Sequence, residues 1–451
     1  MSTVIIEGAH IAVGEGTEYA SGHITAEDGI ITRVAAGPAP DAPGARRIDG
    51  RGCLATPGLV NSHNHLYQWA TQGMFADATL FEWLTGSYEL WSGLDARTVS
   101  ETATAGTAWL ALSGCTTCSD HHYVFPREPA AMAAAEVEAA RAVGIRLDLA
   151  RGSMDRGRSA GGLPPDAVTE TTQDALAATE AAVDAHHDPS FDAMTRVAVA
   201  PCSPFTVSRE LMAASAELAR AKGVRLHTHL AETVDEEEQC RAEFGTTPVG
   251  YAEELGWLGE DVWLAHAVHL SDEAIRRVAA AGTGVAHCPS SNARLGAGVC
   301  RTPELLDAGA AVGLGVDGPA SSELSGLAGE MRQAVLMARS RGGPRALTAR
   351  QALHMATLGG ARCLGRSAEL GSLEAGKLAD IALWRVDGFG HDAIEDPVVA
   401  LVFGPQAPLE HLMVGGSAVV ERGELRTVSA ESAAAAGRRA HRRILDREQS
   451  R

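Results

Sequence analysis

The sequence predicts a distorted (β/α)8 barrel with a small β-sandwich built from both chain ends. Three observations predict it. Eight short apolar runs alternate with alanine-rich helical stretches, hairpin-like segments occupy only the two ends, and the first, fifth, sixth and eighth runs carry histidine or aspartate toward their C-terminal ends. The 451 residues suit one large domain plus a smaller one, because an α/β barrel absorbs about 250 residues as a single unit.

The N-terminal segment, 1–56, carries TVIIEGAHIAV, HITAEDGIITRVAAG and ARRIDGRGCLATPG, which alternate apolar with polar residues or break at Gly and Pro. That texture predicts antiparallel hairpins. From 57 to 367 the runs are GLVNSH, CTTCSDHH, IRLDLAR, RVAVAPC, VRLHTHL, VWLAHAV, TGVAHCP and AVGLGVDG. Between them lie helical stretches such as EPAAMAAAEVEAARAVG and ELMAASAELARAKG, several ending on a glycine suited to a left-handed C-terminal turn. Alternation of this kind predicts parallel strands crossed over by helices. A doubly wound open sheet is disfavoured, since no G-x-G-x-x-G loop follows the first run.

Beyond the last run, LTARQALHMATLGGARCLG reads as helix. The segment 368–451 returns to hairpins in AGKLADIALWRVD and HLMVGGSAVVERGEL, then ends in a charged helix, SAAAAGRRAHRRILDREQS. Each hairpin end is too short to fold alone, so the two are expected to pair beside the barrel.

A formal net charge of -19 argues against a nucleic-acid partner, because phosphate neutralisation needs clustered Lys and Arg. No apolar stretch approaches the roughly 18 residues of a membrane span, and no basic-then-apolar leader opens the sequence. The eight cysteines lack framework spacing, so a reducing cytoplasm is the expected setting. The expected partners are a small heterocyclic substrate and, as an open option, further copies of the chain in a homo-oligomer.

Chemistry concentrates where barrel enzymes place it, at the C-terminal ends of the runs. The first run ends in His63-Asn64-His65, and residues two apart on a strand point the same way, so both imidazoles can reach one ion. The fifth run offers His227 and His229 and then Glu232, the sixth His266, and the eighth Asp317. Seventeen histidines give about 0.6 H-x-H pairs by chance; the weight lies in placement at the ends of separate strands. His229 is preferred to His227 as ligand because Glu232 follows it by three.

Three neutral imidazoles and a carboxylate suit one divalent ion, zinc first and iron as the alternative, with a position open to water. Such an ion brings the pKa of a bound water from 15.7 toward about 7. Attack on an amidine-like ring carbon then needs a carboxyl group to hand a proton to the leaving amine, a role for Glu232. Asp317 takes the water's proton, and His266 hydrogen-bonds the attacking oxygen or steadies developing charge. The residues expected to meet the ring are Gln68, Trp91, His121, His122, Tyr123 and Cys202, with Trp83 and Ser203 beside them.

In the motifs PGLVNSHNH, LHTHLAE, LAHAV and GLGVDG the sequence resembles the amidohydrolase superfamily, in its mononuclear aminohydrolase branch. The resemblance implies His63, His65, His229 and Asp317 as metal ligands, Glu232 as proton shuttle and His266 as the strand-six histidine near the attacking water. The dinuclear branch bridges two metals with a strand-four lysine. RVAVAPCSPF has none, and Lys222 and Lys377 lie elsewhere.

A longer likeness, in CTTCSDHHYVFP, APCSPF, HLAETVDEE, HCPSSN and GLGVDG, resembles the 8-oxoguanine deaminases, which implies conversion of 8-oxoguanine and water to urate and ammonia. Asn64 between the ligands and PASSE after GVDG depart from that pattern. Alternatives are an s-triazine chloro- or amino-hydrolase, a pterin deaminase, and, in a different class, a barrel that binds metal without turnover. The other zinc-deaminase fold is disfavoured because its H-x-E and P-C-x-x-C signature is missing.

Overall fold

The structure, a computed structural model, describes residues 3–449. Met1, Ser2, Ser450 and Arg451, at the outer ends of the first and last segments read above, lie outside the described residues. Eight parallel strands follow one another in chain order around a barrel. They are Leu59–Asn61, Cys115–His122, Arg146–Ser153, Thr195–Pro201, Leu226–Leu230, Val262–His266, Gly284–His287 and Val312–Leu314. Each falls on one of the eight apolar runs.

The short eighth strand meets the first through loop backbone. Ser62 N–H donates to the Leu314 carbonyl at 2.9 Å, Asp317 N–H to that of His63 at 3.1 Å, and the Asn61 side-chain oxygen accepts from Val316 N–H at 3.1 Å. Ring closure therefore draws the His63–His65 turn and Asp317 together. The helical segment after strand eight, Ala349–Cys363, is interrupted by a π turn at Met355–Gly359 and lies hard against the same two strands. A Cβ on Gly359 would sit 2.1 Å from the Val312 carbonyl oxygen, and one on Gly360 2.5 Å from that of Val60. Only glycine permits that approach.

The chain ends form one nine-stranded mixed sheet. Its join is the antiparallel pairing of Cys53–Pro57 with Ile381–Arg385, and Ile6, Ile11, Ile24, Leu373, Leu383 and Met413 fill its own core. The terminal helix, Ala430–Gln449, read with the C-terminal β segment, instead docks on the barrel. Ala433, Ala440 and Ile444 are buried, Arg443 pairs with Glu101 of the helix Ala96–Leu112 at 2.7 Å, and His441 Nδ1–H donates to the Ala70 carbonyl at 2.7 Å. Among the described residues no helix is long and apolar enough to cross a membrane.

Candidate active site

His63 and His65 leave the first strand on one face, and His229 points inward two residues above His227 on the fifth, as strand alternation requires. Their ring nitrogens converge. His65 Nε2 lies 3.2 Å from His229 Nε2 and 3.1 Å from Asp317 Oδ1, which is 3.4 Å from His63 Nε2.

The tautomers follow from the neighbours. His65 Nδ1 sits 2.6 Å from the His121 carbonyl and His229 Nδ1 2.7 Å from that of Cys202; a carbonyl only accepts, so both Nδ1 atoms carry hydrogen and both Nε2 atoms hold a lone pair. His63 is set through a relay. His227 Nδ1–H donates to the Trp263 carbonyl at 2.9 Å, leaving His227 Nε2 to accept from His63 Nδ1–H at 2.8 Å. His63 Nε2 is buried and has no hydrogen-bond partner among the described residues. Three lone pairs and a carboxylate therefore face one point, which fits a divalent cation with its outer hydrogen bonds already in place. Burial holds the His63 and His229 imidazoles well below the usual range, so they stay neutral. Burial would raise Asp317, but the His63 and His65 side chains beside it outweigh that and hold the carboxyl well below the ordinary value.

Asp317 adopts a left-handed φ of 59° and receives Ser321 Oγ–H on Oδ2 at 3.1 Å. Opposite it, Glu232 Oε1 lies 3.8 Å from His266 Nε2, whose Nδ1–H donates to Asn292 Oδ1 at 2.9 Å. Burial pushes the Glu232 carboxyl up. Burial would depress His266, but the Glu232 and Asp317 charges outweigh that and hold it above the ordinary imidazole value. A carboxyl and an imidazole that both hold a proton more readily than usual, side by side, are suited to pass one between them.

These groups open into a cleft walled by Leu80, Trp83, Tyr88, Tyr123, Phe205 and Leu295. Of the residues expected to meet the ring, Gln68, Tyr123 and Cys202 line the cleft, as do Trp83 and Ser203. Three do not. Trp91 ends the helix Leu80–Trp91; it is fully buried and gives its indole N–H to Thr71 Oγ1 at 3.1 Å. His121 lies under the imidazole cluster, stacked on His229 at 4.7 Å, with Nε2–H on the Ala200 carbonyl at 2.7 Å. His122 points the opposite way, out of the barrel toward Glu136 at 2.9 Å.

The sequence reading passed over Glu236 and Asn292 and assigned the His227 relay no role. Glu236 sits in an acidic run that resembles a solvated helix face, and Asn292 in a serine-rich turn; the spacing of His227 to His229 was the one available signal. Lys222 pairs with Glu180 and Asp184 at the surface, and Lys377 caps carbonyls of a loop outside the barrel.

A parallel barrel whose mouth gathers imidazoles, a carboxylate and a proton-carrying pair defines a metal-dependent hydrolase. The amidohydrolase family model matches residues 54–419, and the chain belongs to that family. It is 43% identical over 401 residues to 8-oxoguanine deaminase of Pseudomonas aeruginosa, covering 88% of this chain and 89% of that protein. It is 36% identical to isoxanthopterin deaminase from an unknown prokaryotic organism, over 89% and 88% of the two chains. The crystal structure of atrazine chlorohydrolase from Arthrobacter aurescens TC1 with zinc superposes with a TM-score of 0.92 at 33% identity, covering 97% of this chain and all of that one. The chain is a metal-dependent aminohydrolase, a hydrolytic deaminase of the amidohydrolase superfamily.

Proposed function

We propose that the chain deaminates 8-oxoguanine to urate and ammonia, using one zinc ion held by His63, His65, His229 and Asp317. The observation that carries the reading is the Glu232–His266 pair, 3.8 Å apart, facing that ligand set across an aromatic cleft. Flat walls from Trp83, Tyr88, Tyr123 and Phe205, with Gln68 as a polar reader, suit a heterocycle. Carboxylates line the same cleft and no lysine or arginine does, among the described residues, which suits an uncharged ring better than a phosphorylated one. The likeness to 8-oxoguanine deaminase supports the choice of ring, and the zinc-bearing structural relative supports zinc over iron.

A divalent ion bound at this centre would lower the pKa of a water in its open position from 15.7 toward about 7. Asp317 accepts the water's proton on its carboxylate. His266, fixed by Asn292, turns Nε2 toward the attacked carbon and steadies charge that develops there. Glu232 holds a proton on its carboxyl and returns it to the exocyclic nitrogen as the C–N bond breaks, so the ring keeps the new C–O bond and ammonia leaves. The cytoplasm is the proposed setting, supported by eight unpaired, buried cysteines.

The test is an ammonia-release screen over purines, pterins, pyrimidines and s-triazines, run beside metal analysis of the purified enzyme. Turnover of 8-oxoguanine with guanine inert is the expected result. Activity confined to isoxanthopterin or to triazines overturns the choice of ring, and activity that survives complete chelation overturns the metal.

A further inference from the structure

Glu236 stands in the run Asp235-Glu236-Glu237-Glu238 at the start of the helix Val234–Phe244, yet it is only 1% exposed. Its two carboxylate oxygens are both turned on backbone. Oε1 accepts the Ala231 N–H at 2.8 Å, and Oε2 accepts the Glu232 N–H at 3.1 Å. Those amides come just after Leu230, the last residue of the fifth strand to pair with the sixth, so no ladder holds them. An amide buried there without an acceptor would be strongly unfavourable.

The chain needs holding at this point. Ala231 sits at φ 54°, and across from it His266 and Ala267 sit at 71° and 47°, a left-handed conformation that non-glycine residues keep only where surroundings over-determine it. The two strained turns are laced together: Ala267 N–H donates to the Leu230 carbonyl at 3.1 Å, and Val268 and His269 N–H both donate to that of Ala231 at 2.9 Å. One turn carries Glu232 and the other follows His266. Whatever fixes residues 231 and 232 therefore fixes the gap between the proton-carrying carboxyl and its imidazole.

We propose that Glu236 is a positioning residue for the proton transfer: by clamping the amides of Ala231 and Glu232 it sets the reach of the Glu232 carboxyl toward His266 and the leaving nitrogen, without itself binding the ring. The inference rests on the reading of Glu232 as proton carrier. It goes beyond that reading by giving a second carboxylate a task that the acidic run conceals.

The experiment compares E236Q, E232Q and the double variant in the zinc-loaded enzyme with 8-oxoguanine, or with whichever ring the screen identifies. Glutamine keeps one acceptor oxygen, so one clamp bond is lost. The expected result for E236Q is a fall in kcat of about 10- to 100-fold with KM within about threefold, unchanged metal content, and a displaced limb of the kcat–pH profile. The double variant should be no slower than E232Q within about threefold, because residues that act through one another do not add. E236D, charged but too short to reach both amides, should fall as far as E236Q.

Losses that multiply in the double variant overturn the proposal, as does a raised KM at unchanged kcat, which would make Glu236 a ring contact. Amide hydrogen exchange gives a readout free of turnover: residues 231 and 232 should exchange faster in E236Q than in the parent, and unchanged protection overturns the clamp. Full turnover of E232Q alongside a slow E236Q would sink the Glu232 reading while leaving the exchange result to judge Glu236.

Discussion

Two buried clusters of imidazole and carboxyl groups flank the second barrel strand, and only one of them faces a cleft. At the mouth, His63, His65, His229 and Asp317 point lone pairs at a common centre. In the wall, Asp120, His122 and Glu136 also bring ligand atoms within 4.8 Å of one another, between that strand and the helix Pro129–Val143. Hydrogen bonds distinguish them.

His122 Nε2–H donates to the Val124 carbonyl at 3.1 Å, and burial lowers the imidazole to about 4, so Nδ1 accepts. Burial pushes Glu136 up to about 8, which puts a proton on the oxygen 2.9 Å from that Nδ1. Burial also raises Asp120 well above its ordinary value, even though one oxygen takes the Leu66 N–H. In the wall cluster both His122 nitrogens are thus engaged, Nε2 by Val124 and Nδ1 by Glu136, while Asp120 braces the residue after His65. The same residue types hold a cation or a scaffold according to where their hydrogens already are.

Predictions that break or sharpen this contrast run from large to small. Asp317→Asn should abolish metal retention and cut ammonia release by at least about 10³-fold, since on the proposed reading it removes a ligand and the proton acceptor together; metal analysis and turnover check it. Glu232→Gln should cost about 10² to 10⁴-fold in kcat while the metal stays bound. His227→Leu should weaken metal affinity by about 10- to 100-fold in chelator competition by freeing the His63 tautomer. His122→Gln should leave metal content at one ion per chain; a loss of the ion would erase the distinction between the clusters.

The smallest effect concerns pH and Glu136. Its folded value, about 8 against an ordinary 4.5, means that the folded chain binds the extra proton, so this contribution to stability is complete below 4.5 and is lost as pH rises through 8. His122, at about 4 against 6.5, acts oppositely, contributing above 6.5 and losing it as pH falls through 4. The two offset each other between 4.5 and 6.5, and of the pair only Glu136 loses stability from 6.5 to 8, where Glu236 and Glu330, raised to about 8 and about 7, lose theirs as well. Melting temperatures should therefore fall across that last interval in the parent and less steeply in Glu136→Gln.

The barrel and the clustering of His63, His65 and His229 were legible because both rest on period: strand and helix alternate eight times, and H-x-H puts two rings on one face. Parity alone separates inward His121 from outward His122, but it does not say how deep in the barrel a residue lies, and His121 sits one layer too low to meet a ring. Depth also divides His227 from His229. Trp91 depends on the phase of the helix that carries it, whereas Glu236 is concealed because an acidic helix start reads as solvated until its backbone contacts are known. The departures at Asn64 and PASSE do land near the site: Asn64 bridges to Asp317 across the barrel seam.

The docking of the helix Ala430–Gln449 on the turn Leu66–Thr71 carries a consequence for biogenesis. The bond from His441 to Ala70 spans 371 positions, and Gly437 leaves no room for a Cβ against the Trp69 indole. During translation the stretch that bears His65 and Gln68 must wait for residues some 370 codons downstream before its outer support arrives. Full support of the His63–His65 turn is thereby tied to synthesis through residue 441 rather than to emergence of that turn from the ribosome.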